Sequence, residues 1–252
     1  MAAASFGNWR VQAVLGRGRM STVYLARGAQ GRRAALKVSR GAGQRYETEF
    51  GIALGLPGAV QPYERGAAAG GSWLAMEYAE GGTLAQRALP LPRDEALHFA
   101  RQAAQALAQL HAAGWVHRDV KPANLLLRAD GSLALGDFGS ACRRGAQESL
   151  PAGTIVGTPR YAAPEQWQGA PAMPSADVYS LGAVLFEMLC GRPPYAGETP
   201  TELLAQHLLA PLPQLAPAHA DLQPLVHAML AKNPRDRLPD VQSVLAGLGN
   251  RT

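Results

Sequence analysis

The sequence contains little cysteine, few aromatic residues and no long basic cluster, and each shortage excludes a class of protein. Its two cysteines, Cys142 and Cys190, form no CxxC motif and no metal-binding spacing, which indicates a reducing compartment. Aromatic side chains make up 6% of the 252 residues, and no run of Lys or Arg is longer than a pair such as Arg32-Arg33. A nucleic-acid-binding surface is therefore not expected. The net charge of +5 suits a phosphate ligand or an acidic partner, although an Arg-rich composition is the simpler explanation.

No segment has the length and composition of a membrane span. The first residues, MAAASFGNWR, lack the basic and apolar regions of a signal peptide. The longest helical apolar stretch, VYSLGAVLFEMLCG, is short and carries Glu187, so it predicts a buried helix. With 47% hydrophobic residues, the chain is long and apolar enough to bury a sizeable core. We therefore expect a soluble, cytoplasmic protein without a membrane segment.

The first third of the chain has the alternating pattern of β-strands. Strands are predicted at WRVQAVLGRG, TVYLAR and AALKVS, with the turn sequence GAQGRR between the last two. RYETEFGIALGL has helical spacing, LPGAV ends that helix, and SWLAMEY predicts a further strand. This part therefore predicts a small, strand-rich unit with one helix.

From about residue 83 onward the pattern becomes helical. The long helix that follows Pro92 ends at Gly114, and a second begins at Asp177 and ends at Gly191. The segment TPTE at 199–202 has the pattern of a capping box. Two further helices are predicted at about 221–231 and 239–247. A strand-rich unit followed by a helical unit predicts a ligand cleft between the two.

Lysine is also scarce, because only three of the 24 basic residues are lysines, namely Lys37, Lys121 and Lys232. A chain that uses arginine almost everywhere is expected to keep lysine where a forked guanidinium cannot replace a compact ammonium group. Lys37 ends a predicted strand, so it is either a solvated end residue or a phosphate ligand held by a helix carboxylate. Glu49 and Glu47 are the candidates for that carboxylate. Lys232 lies in the segment LAKNP and is interpreted as structural.

The densest group of chemically useful side chains lies at 117–139, HRDVKPANLLLRADGSLALGDFG. Asp119 is a candidate for accepting a proton from a hydroxyl group, and Lys121 for neutralising a phosphoryl group in transit. Asn124 and Asp137 offer the hard oxygen ligands that Mg2+ prefers. Since Asp and Asn favour turns, each residue alone has a structural explanation. The occurrence of all these residues at these spacings has no such structural explanation.

A glycine-containing loop, LGRGRMSTV, lies between two predicted strands. Gly16 and Gly18 would let the backbone approach a phosphate group closely. The loop is not a dinucleotide-binding fingerprint, because a strand rather than a helix follows it. A lone GxG is explained at least as well by an ordinary hairpin turn.

Together, these motifs resemble those of eukaryotic-type (Hanks-type) serine/threonine protein kinases, and bacterial members more than animal ones. HRDVKPAN is similar to the catalytic loop of the family, DFG to its metal-binding motif, GRGRMSTV to its glycine-rich loop and AALK to its VAIK motif. GTPRY and AAPE, at 157–165, resemble the substrate-receiving loop and the APE motif, and DVYSLG resembles the start of the central helix. Arg237 resembles the arginine that pairs with the APE glutamate, here Glu165. The motifs occur in the order of the family.

The resemblance implies an α+β, bilobal protein kinase fold over 9–248. The small β-rich N-lobe with one main helix would cover about 9–78, the hinge about 77–83 and the larger α-helical C-lobe about 84–248. It implies transfer of the γ-phosphoryl group of ATP, with Mg2+ or Mn2+, to Ser/Thr hydroxyls of protein substrates. It implies no nucleic-acid partner and is compatible with a homodimer in activation.

The resemblance also implies roles for individual residues. Asp119, Lys121, Lys37 and Thr158 are expected to be catalytic, with Thr158 bracing Asp119 and Lys121. The metal ligands are expected to be Asn124 and Asp137. The nucleotide is expected to contact Leu15, Gly16, Gly18, Ser21, Val23, Ala35, Lys37, Glu49, Met76, Glu77, Ala79, Asn124, Leu126 and Asp137.

The HRD arginine, Arg118, implies control by phosphorylation of the activation loop, because a phosphate on that loop would pair with its guanidinium group. Thr154 is the first candidate for that phosphorylation and Ser149 the second. Met76 is expected to gate the space behind the nucleotide.

Two positions depart from the family pattern. Ser21 stands where the third glycine of the loop is expected, as in some bacterial kinases. Gly136 precedes DFG where a larger apolar residue is more usual, so a looser strand is expected there.

The alternative functions are a pseudokinase that acts as a nucleotide-binding or scaffold module, and a small-molecule phosphotransferase. The first usually lacks at least one catalytic residue, whereas none is missing here, and the second typically lacks a segment like GTPRYAAPE.

Overall fold

The computed structural model describes residues 4–18, 21–40, 44–68, 71–147 and 156–249. The N-terminal part is a six-stranded sheet with one main helix, and the C-terminal part is mostly helical, so the chain has the expected α+β architecture. The larger cluster of buried apolar side chains lies mostly in the helical part, and a smaller one packs against the sheet. Among these residues, no helix is both long and apolar enough to cross a membrane.

The N-terminal sheet contains strands β1 (Ser5–Phe6), β2 (Trp9–Arg17), β3 (Ser21–Arg27), β4 (Arg33–Arg40), β5 (Pro62–Ala68) and β6 (Gly71–Glu77). Their order across the sheet is β1-β2-β3-β4-β6-β5, and every neighbouring pair is antiparallel. The strands predicted from WRVQAVLGRG, TVYLAR, AALKVS and SWLAMEY are therefore confirmed.

Strand β4 lies in the middle of the sheet and its side chains alternate between two environments. Ala34 and Leu36 are completely buried and belong to the apolar cluster that contains Trp9. Ala35 and Lys37 point to the opposite face, because successive side chains of a strand alternate, and both line the cavity between the two parts of the chain. The register of β4 thus directs the first scarce lysine into the cavity.

Strand β5 was missed by the sequence analysis, which ended its helix at LPGAV and placed the next strand at SWLAMEY. The strand lies at the edge of the sheet and pairs only with β6. Pro62 is its first residue, a position at which proline is tolerated because an edge strand leaves half of its backbone groups unpaired. Its apolar residues are too few to give a strong alternating pattern, so pairing with β6 creates the strand.

The helices are α1 (Gln44–Ala53), α2 (Arg93–Ala112), α3 (Pro164–Trp167), α4 (Pro174–Cys190), α5 (Pro200–Leu209), α6 (Gln223–Met229) and α7 (Val241–Gly249). The predicted helix after Pro92 is confirmed as α2, with Asp94 and Glu95 in its first turn, where carboxylates oppose the positive end of the helix dipole. The last two helices were also predicted, with ends that differ by two residues from α6 and α7.

Helix α4 begins three residues earlier than predicted, at Pro174 rather than Asp177. Proline is favourable in a first helical turn, since its missing N–H has no partner there anyway. Every residue from Pro174 to Leu189 is buried, so α4 is the central helix of the C-terminal part. Asp177 therefore does not cap the helix but lies inside its first turn, where its carboxylate is free to bind another segment.

The predicted capping box of α5 is only half formed. The Thr199 hydroxyl accepts a hydrogen bond from the Glu202 backbone N–H at 3.2 Å, as expected. The Glu202 carboxylate, however, accepts from the N–H of Glu198 at 2.8 Å instead of reaching back to Thr199. The Glu202 side chain thus satisfies the backbone N–H of Glu198, one residue before the cap, and not that of Thr199.

The described residues of the C-terminal part also form four short strands: β7 (Trp115–Val116), β8 (Leu125–Leu127), β9 (Leu133–Leu135) and β10 (Cys142–Arg143). β8 and β9 form a hairpin, and β7 pairs with β10. Asn124 precedes β8 and Asp137 follows β9, so the hairpin places these two residues side by side. The Gly136 N–H donates to the Asn124 carbonyl at 2.9 Å and closes the open end of the hairpin.

Candidate active site

A cavity of about 320 Å³ lies between the sheet and the helical part. Most of the residues predicted to contact a nucleotide line it: Leu15, Gly16, Val23, Ala35, Lys37, Glu49, Met76, Glu77, Ala79, Asn124, Leu126 and Asp137. Gly18 and Ser21 do not line it. They close the turn of the loop instead, since the Gly18 N–H donates to the Ser21 carbonyl at 2.8 Å.

Lys37 is held by two carboxylates inside the cavity. Its ammonium nitrogen lies 2.9 and 3.0 Å from the two oxygens of Glu49 and 2.7 Å from Asp137 Oδ1. Glu49 comes from α1 and Asp137 from the end of the β8–β9 hairpin, so this ion pair joins the two parts of the chain. Glu47, the alternative candidate, points to the surface and pairs with Arg65 at 2.7 Å.

The charges in this cluster change the pKa values of Lys37 and Asp137. Burial opposes the charged form of Lys37, but the negative charges of Asp137 and Glu49 outweigh burial and raise its pKa above the ordinary value. Burial likewise opposes the ionised form of Asp137, yet the positive charge of Lys37 lowers its pKa to about 2. Lys37 is therefore cationic and Asp137 anionic at neutral pH.

The second charged group is a triangle of Asp119, Lys121 and Thr158. The Lys121 ammonium group donates to Asp119 Oδ2 at 2.6 Å and to the Thr158 hydroxyl at 2.7 Å. The Thr158 hydroxyl in turn donates to Asp119 Oδ1 at 2.7 Å. Thr158 lies 37 residues after Lys121 in the chain, so this triangle links the catalytic-loop sequence to the GTPRY segment.

Asn124 contacts both segments that carry the charged groups, and its backbone carbonyl accepts from the N–H of Gly136, next to Asp137. Its side-chain NH2 donates to the Asp119 carbonyl at 2.9 Å and to Asp119 Oδ2 at 3.2 Å. This orientation turns the amide oxygen away from Asp119, so that it is available, together with the Asp137 carboxylate, for a cation. The part of the chain that the structure describes contains no group of three or more His, Cys, Asp or Glu side chains suited to a metal ion. A pair of oxygen ligands nevertheless fits Mg2+, which commonly binds one or two protein groups and takes phosphate and water oxygens as the others.

The backbone of the catalytic-loop sequence is held by a residue whose role the sequence analysis missed. The Asp177 carboxylate accepts from the N–H groups of His117 and Arg118, both at 2.8 Å. Arg118 has a left-handed backbone (φ 65°), which is unfavourable for a non-glycine residue and requires such support. Burial opposes ionisation of Asp177, but the hydrogen bond from His111 and its charge lower the pKa of that carboxyl. A carboxylate near the start of a mostly apolar helix was the available signal.

His117 fixes the other side of the loop. Its Nδ1 accepts from the Asp119 N–H at 3.2 Å, so its Nε2 carries the proton and donates to the Gly136 carbonyl at 3.1 Å. Its ring contacts Phe138 edge-on, with 5.4 Å between ring centroids. A single buried histidine thus holds together the segments that carry Asp119 and Asp137.

The carboxylate of Glu77, in the predicted hinge, makes structural contacts. Arg128 donates to both oxygens of Glu77, at 2.5 and 3.0 Å, and the Gln61 N–H donates at 3.2 Å. Burial raises the pKa of Glu77, but the hydrogen bond from Arg128 outweighs burial and lowers it. The Glu77 side chain therefore ties the hinge to the end of β8 and is not available to a ligand.

Several residues that line the cavity were not predicted as contacts: Val60, Gly82, Thr83, Gln86, Ala123 and Gly136. Ala123 and Gly136 adjoin predicted residues in the sequence, Gly82 and Thr83 lie within the predicted hinge, and Gln86 lies three residues beyond it, so neighbourhood was the available signal for these five. Val60 is an exception, because only the fold brings it to the cavity. Packing leaves no room for a side chain at Gly136, since a Cβ there would lie 2.6 Å from Leu126 Cδ1 and 3.3 Å from Val60 Cγ2.

The segment after Thr158 is anchored by a buried ion pair. Arg237 donates to the two oxygens of Glu165 at 2.5 and 2.9 Å and to the Ser175 carbonyl at 2.8 Å. These are the two residues that the sequence analysis paired by resemblance. The candidate phosphorylation positions, Thr154 and Ser149, lie outside the described residues.

The fold and the site define a protein kinase domain, and comparison with known proteins agrees. The family model for the protein kinase domain matches residues 9–246. The chain therefore belongs to the protein kinase domain family.

Its relatives include bacterial serine/threonine kinases. The chain is 34% identical to serine/threonine-protein kinase PknB of Mycobacterium leprae, over 93% of this chain and 41% of that protein. It is 35% identical to serine/threonine-protein kinase PknL of Mycobacterium tuberculosis, over 94% of this chain and 64% of that protein. It is 34% identical to PknA of Corynebacterium glutamicum, over 92% of this chain and 54% of that protein. The chain thus spans less than two thirds of the length of each of these relatives, and the resemblance to bacterial Hanks-type kinases is confirmed.

Proposed function

We propose that this chain is an ATP-dependent serine/threonine protein kinase that acts on proteins. The observation that supports this proposal best is that Asn124 links the segments that carry two charged groups: its side chain donates to Asp119, and its backbone carbonyl accepts from the N–H of Gly136, next to Asp137. One group is the Lys37–Asp137 pair inside the cavity, and the other is the triangle of Asp119, Lys121 and Thr158. The first is suited to holding the phosphates of a nucleotide, and the second to activating a hydroxyl group beside them.

The cavity would bind ATP through groups of different chemistry. Apolar side chains from both parts of the chain, such as Val23, Ala35 and Leu126, are placed to enclose a flat base. Lys37 is placed to contact the α- and β-phosphates with a compact positive charge. Asp137 and Asn124 would hold a divalent cation, which supplies neutralisation of the phosphate charge. Restraint of Lys37 by two carboxylates lowers the entropy lost when it binds phosphate.

The transfer step follows from the second group. A substrate Ser or Thr hydroxyl would approach Asp119 and give its proton to that carboxylate as its oxygen forms a bond to the γ-phosphorus. The bond from the γ-phosphorus to the bridging oxygen breaks, and ADP leaves with the electron pair. Lys121, already 2.6 Å from Asp119, would neutralise charge on the transferred group. Thr158 would hold both side chains at the correct separation.

The further parts of this proposal derive from the family resemblance. The kinase domain would span 9–248, with lobe boundaries near the hinge at 77–83, and the metal would be Mg2+, with Mn2+ as a substitute. Cys142 and Cys190 form no disulfide among the described residues, which is in keeping with a cytoplasmic location. Regulation by phosphorylation of Thr154 or Ser149, and by a homodimer, stays a prediction.

The proposal is tested by phosphate transfer from labelled ATP with Mg2+ to a general acceptor protein. We expect wild type to label serine and threonine, and Asp137→Asn to lose transfer, because the metal loses its carboxylate ligand. Glu49→Gln is expected to reduce transfer strongly. Glu47→Gln provides a matched control on the same helix, since that carboxylate pairs with Arg65 outside the cavity. It should transfer phosphate like wild type.

Two results would oppose the proposal. If wild type transfers no phosphate while ATP still raises its Tm, the chain is a nucleotide-binding pseudokinase. If Asp137→Asn and Glu49→Gln remain as active as Glu47→Gln, the cavity is not the catalytic site. Peptide mapping of the labelled kinase would show whether Thr154 or Ser149 is modified, and repeating the assay with Mn2+ would define the metal preference.

A further inference from the structure

The third lysine, Lys232, lies in an unusual environment far from the catalytic group in sequence. It follows α6, and its ammonium nitrogen lies 3.8 Å from the centre of the Tyr195 ring. It also donates a hydrogen bond to the Gln206 backbone carbonyl, in α5, at 3.0 Å. The side chain thus connects three segments of the C-terminal part, and it remains partly exposed to solvent.

Lys232 differs from the other two lysines in its partners. Lys37 is held by Glu49 and Asp137, and Lys121 by Asp119. In the described ranges, by contrast, no carboxylate lies within ion-pair distance of Lys232. Its contacts are an aromatic face and a carbonyl oxygen, and neither carries the full negative charge that keeps an amine protonated.

The aromatic ring that Lys232 covers belongs to a buried cluster. The Tyr195 ring meets the His207 ring edge-on at 5.0 Å, and His207 Nδ1 lies 2.8 Å from the Tyr179 hydroxyl. The Arg237 guanidinium lies 4.8 Å from the centre of the Tyr179 ring. Arg237 anchors Glu165, so the cluster runs from Lys232 to the segment that follows Thr158.

Burial of Lys232, with no carboxylate of the described residues beside it, favours its neutral amine. Burial lowers the pKa of Lys232 to about 8. Burial and the nearby charge of Lys232 lower the pKa of His207 to about 4, against a smaller opposing contact with the backbone of Arg160. Near pH 8, a substantial fraction of Lys232 is therefore unprotonated, while Lys37 stays fully charged.

We propose that Lys232 is a site of acylation by activated acyl donors, namely acyl phosphates or acyl thioesters. Its partly exposed, carboxylate-free amine is the nucleophile. The nitrogen lone pair attacks the acyl carbon and a C–N bond forms. The C–O bond to phosphate or the C–S bond to the thiol breaks, the leaving group takes the electron pair, and the nitrogen loses its proton to water. The product is a neutral amide, and no oxidant or reductant is needed.

Acylation would change the contacts of α5. The amide no longer carries a cation over the Tyr195 ring, and it has one N–H instead of three for the Gln206 carbonyl. The end of α5 and the His207 cluster beneath the GTPRY segment would be held less firmly. The modification would therefore lower stability and weaken the placement of that segment, without touching a catalytic residue.

The first test measures the acylation rate of each lysine. The folded kinase is incubated with acetyl phosphate, or separately with acetyl coenzyme A, over a range of pH, and peptides are quantified by mass spectrometry. Arg235→Lys supplies an internal reference, because residue 235 is exposed in the same segment. An ordinary lysine near pH 8 has an unprotonated fraction about 100-fold smaller than one with a pKa near 8, so Lys232 is expected to react about ten-fold faster than the introduced lysine after allowing for its partial burial and lower basicity.

The rate at Lys232 should also level off with a midpoint near pH 8, and reaction with only one donor would identify the acyl source. An equal or slower rate than the reference lysine, or a rate that keeps rising beyond pH 10, would overturn the proposal. This readout does not depend on phosphate transfer, so it stands apart from the proposed kinase activity.

The second test compares two substitutions that differ in charge. Lys232→Arg retains the cation over Tyr195 but cannot be acylated under these conditions, and is expected to keep the Tm of wild type. Lys232→Gln mimics the acylated state, and its Tm is expected to fall by about 2 to 4 °C. Acetyl phosphate should lower the Tm of wild type and leave that of Lys232→Arg unchanged. If both proteins respond equally, the effect does not come from Lys232.

Discussion

The Thr158 hydroxyl donates a hydrogen bond to Asp119 Oδ1 at 2.7 Å. This contact joins the candidate catalytic carboxylate to the segment that precedes the APE motif, which Arg237 anchors through Glu165. The position of the carboxylate thus depends on a segment that follows it by more than thirty residues. Since a small misplacement of a reacting group is costly, this contact is expected to control the rate of transfer.

Removal of that hydroxyl should therefore lower turnover. Thr158→Ala is expected to reduce kcat by about 100-fold, because Asp119 and Lys121 both lose a partner and shift relative to the substrate. KM for ATP should stay close to that of wild type, since Thr158 does not line the cavity. Steady-state kinetics with a protein acceptor measure both parameters. Thr158→Ser keeps the hydroxyl and should retain most of the activity; equal loss in both variants would argue against a role for the hydrogen bond.

Gly136 limits the space below the nucleotide. A Cβ at this position would lie 2.6 Å from Leu126 Cδ1, so Gly136→Ala is expected to destabilise the protein by about 1 to 3 kcal/mol and to raise KM for ATP as Leu126 moves into the cavity. Chemical denaturation and ATP titration measure the two effects. Leu126→Ala removes the clashing methyl group, and in the double variant Gly136→Ala should cost much less than alone. Purely additive effects would show that the two side chains do not compete for space.

The Glu165–Arg237 ion pair should contribute to stability mainly because both groups are buried. Glu165→Gln leaves the Arg237 guanidinium, whose side chain is fully buried, without a counter-charge, and is expected to cost about 3 to 5 kcal/mol. Thermal or denaturant unfolding measures this change.

A surface pair gives the control for that measurement. Arg93 and Asp221 form a two-pronged ion pair at 2.8 and 2.7 Å, but both side chains are partly exposed. Asp221→Asn is therefore expected to cost about 1 kcal/mol or less. If the two substitutions cost the same, burial does not determine the value of the Glu165–Arg237 pair.

His207 should make the stability depend on pH. Its pKa is lowered from 6.5 to about 4 by burial. In the unfolded chain His207 therefore binds a proton below about pH 6.5, whereas in the folded chain it binds one only below about pH 4. The stability that this difference provides above pH 6.5 is lost as the pH falls towards 4. Between pH 7 and pH 5, this loss amounts to about 2 kcal/mol.

The measurement compares denaturant unfolding of wild type and His207→Phe at several pH values. The substitution keeps an aromatic ring but cannot titrate, so its stability should fall less steeply below pH 6.5, whatever its absolute value. Tyr179 loses a hydrogen-bond partner in this variant, which lowers stability at every pH and does not change the slope. Parallel slopes for the two proteins would mean that His207 titrates normally in the folded state.

Much of the fold was predictable because local patterns repeat over short distances. The alternation in AALKVS predicted β4 and directed Lys37 to one face, and the helical spacing after Pro92 predicted α2. β5 was missed because it is an edge strand whose pattern is weak without its partner. The start of α4 was placed too late, since Asp177, taken as its first residue, does not cap the helix but accepts hydrogen bonds from the backbone of His117 and Arg118.

Part of the candidate site was likewise predictable from the sequence, and part depends on the fold. Asp119, Lys121, Asn124 and Asp137 lie close together in the sequence, and one hairpin between Asn124 and Asp137 brings them together. The choice between Glu49 and Glu47 was open, because both lie on one helix and only its packing against the sheet decides which of them faces Lys37. The contribution of Asp177 was likewise hidden, since its partners are backbone N–H groups 59 and 60 residues away.

By itself, the sequence determined the chemical groups, their order along the chain and the periodicity that specifies strands and helices. The scarcity of lysine even drew attention to three positions. Only the tertiary structure decided which carboxylate pairs with Lys37, which backbone groups Asp177 holds, and that Lys232 lies on an aromatic ring instead of beside a carboxylate. The reason is that residue type and spacing are local properties, whereas burial, pKa and pairing depend on neighbours that the fold brings from distant parts of the chain.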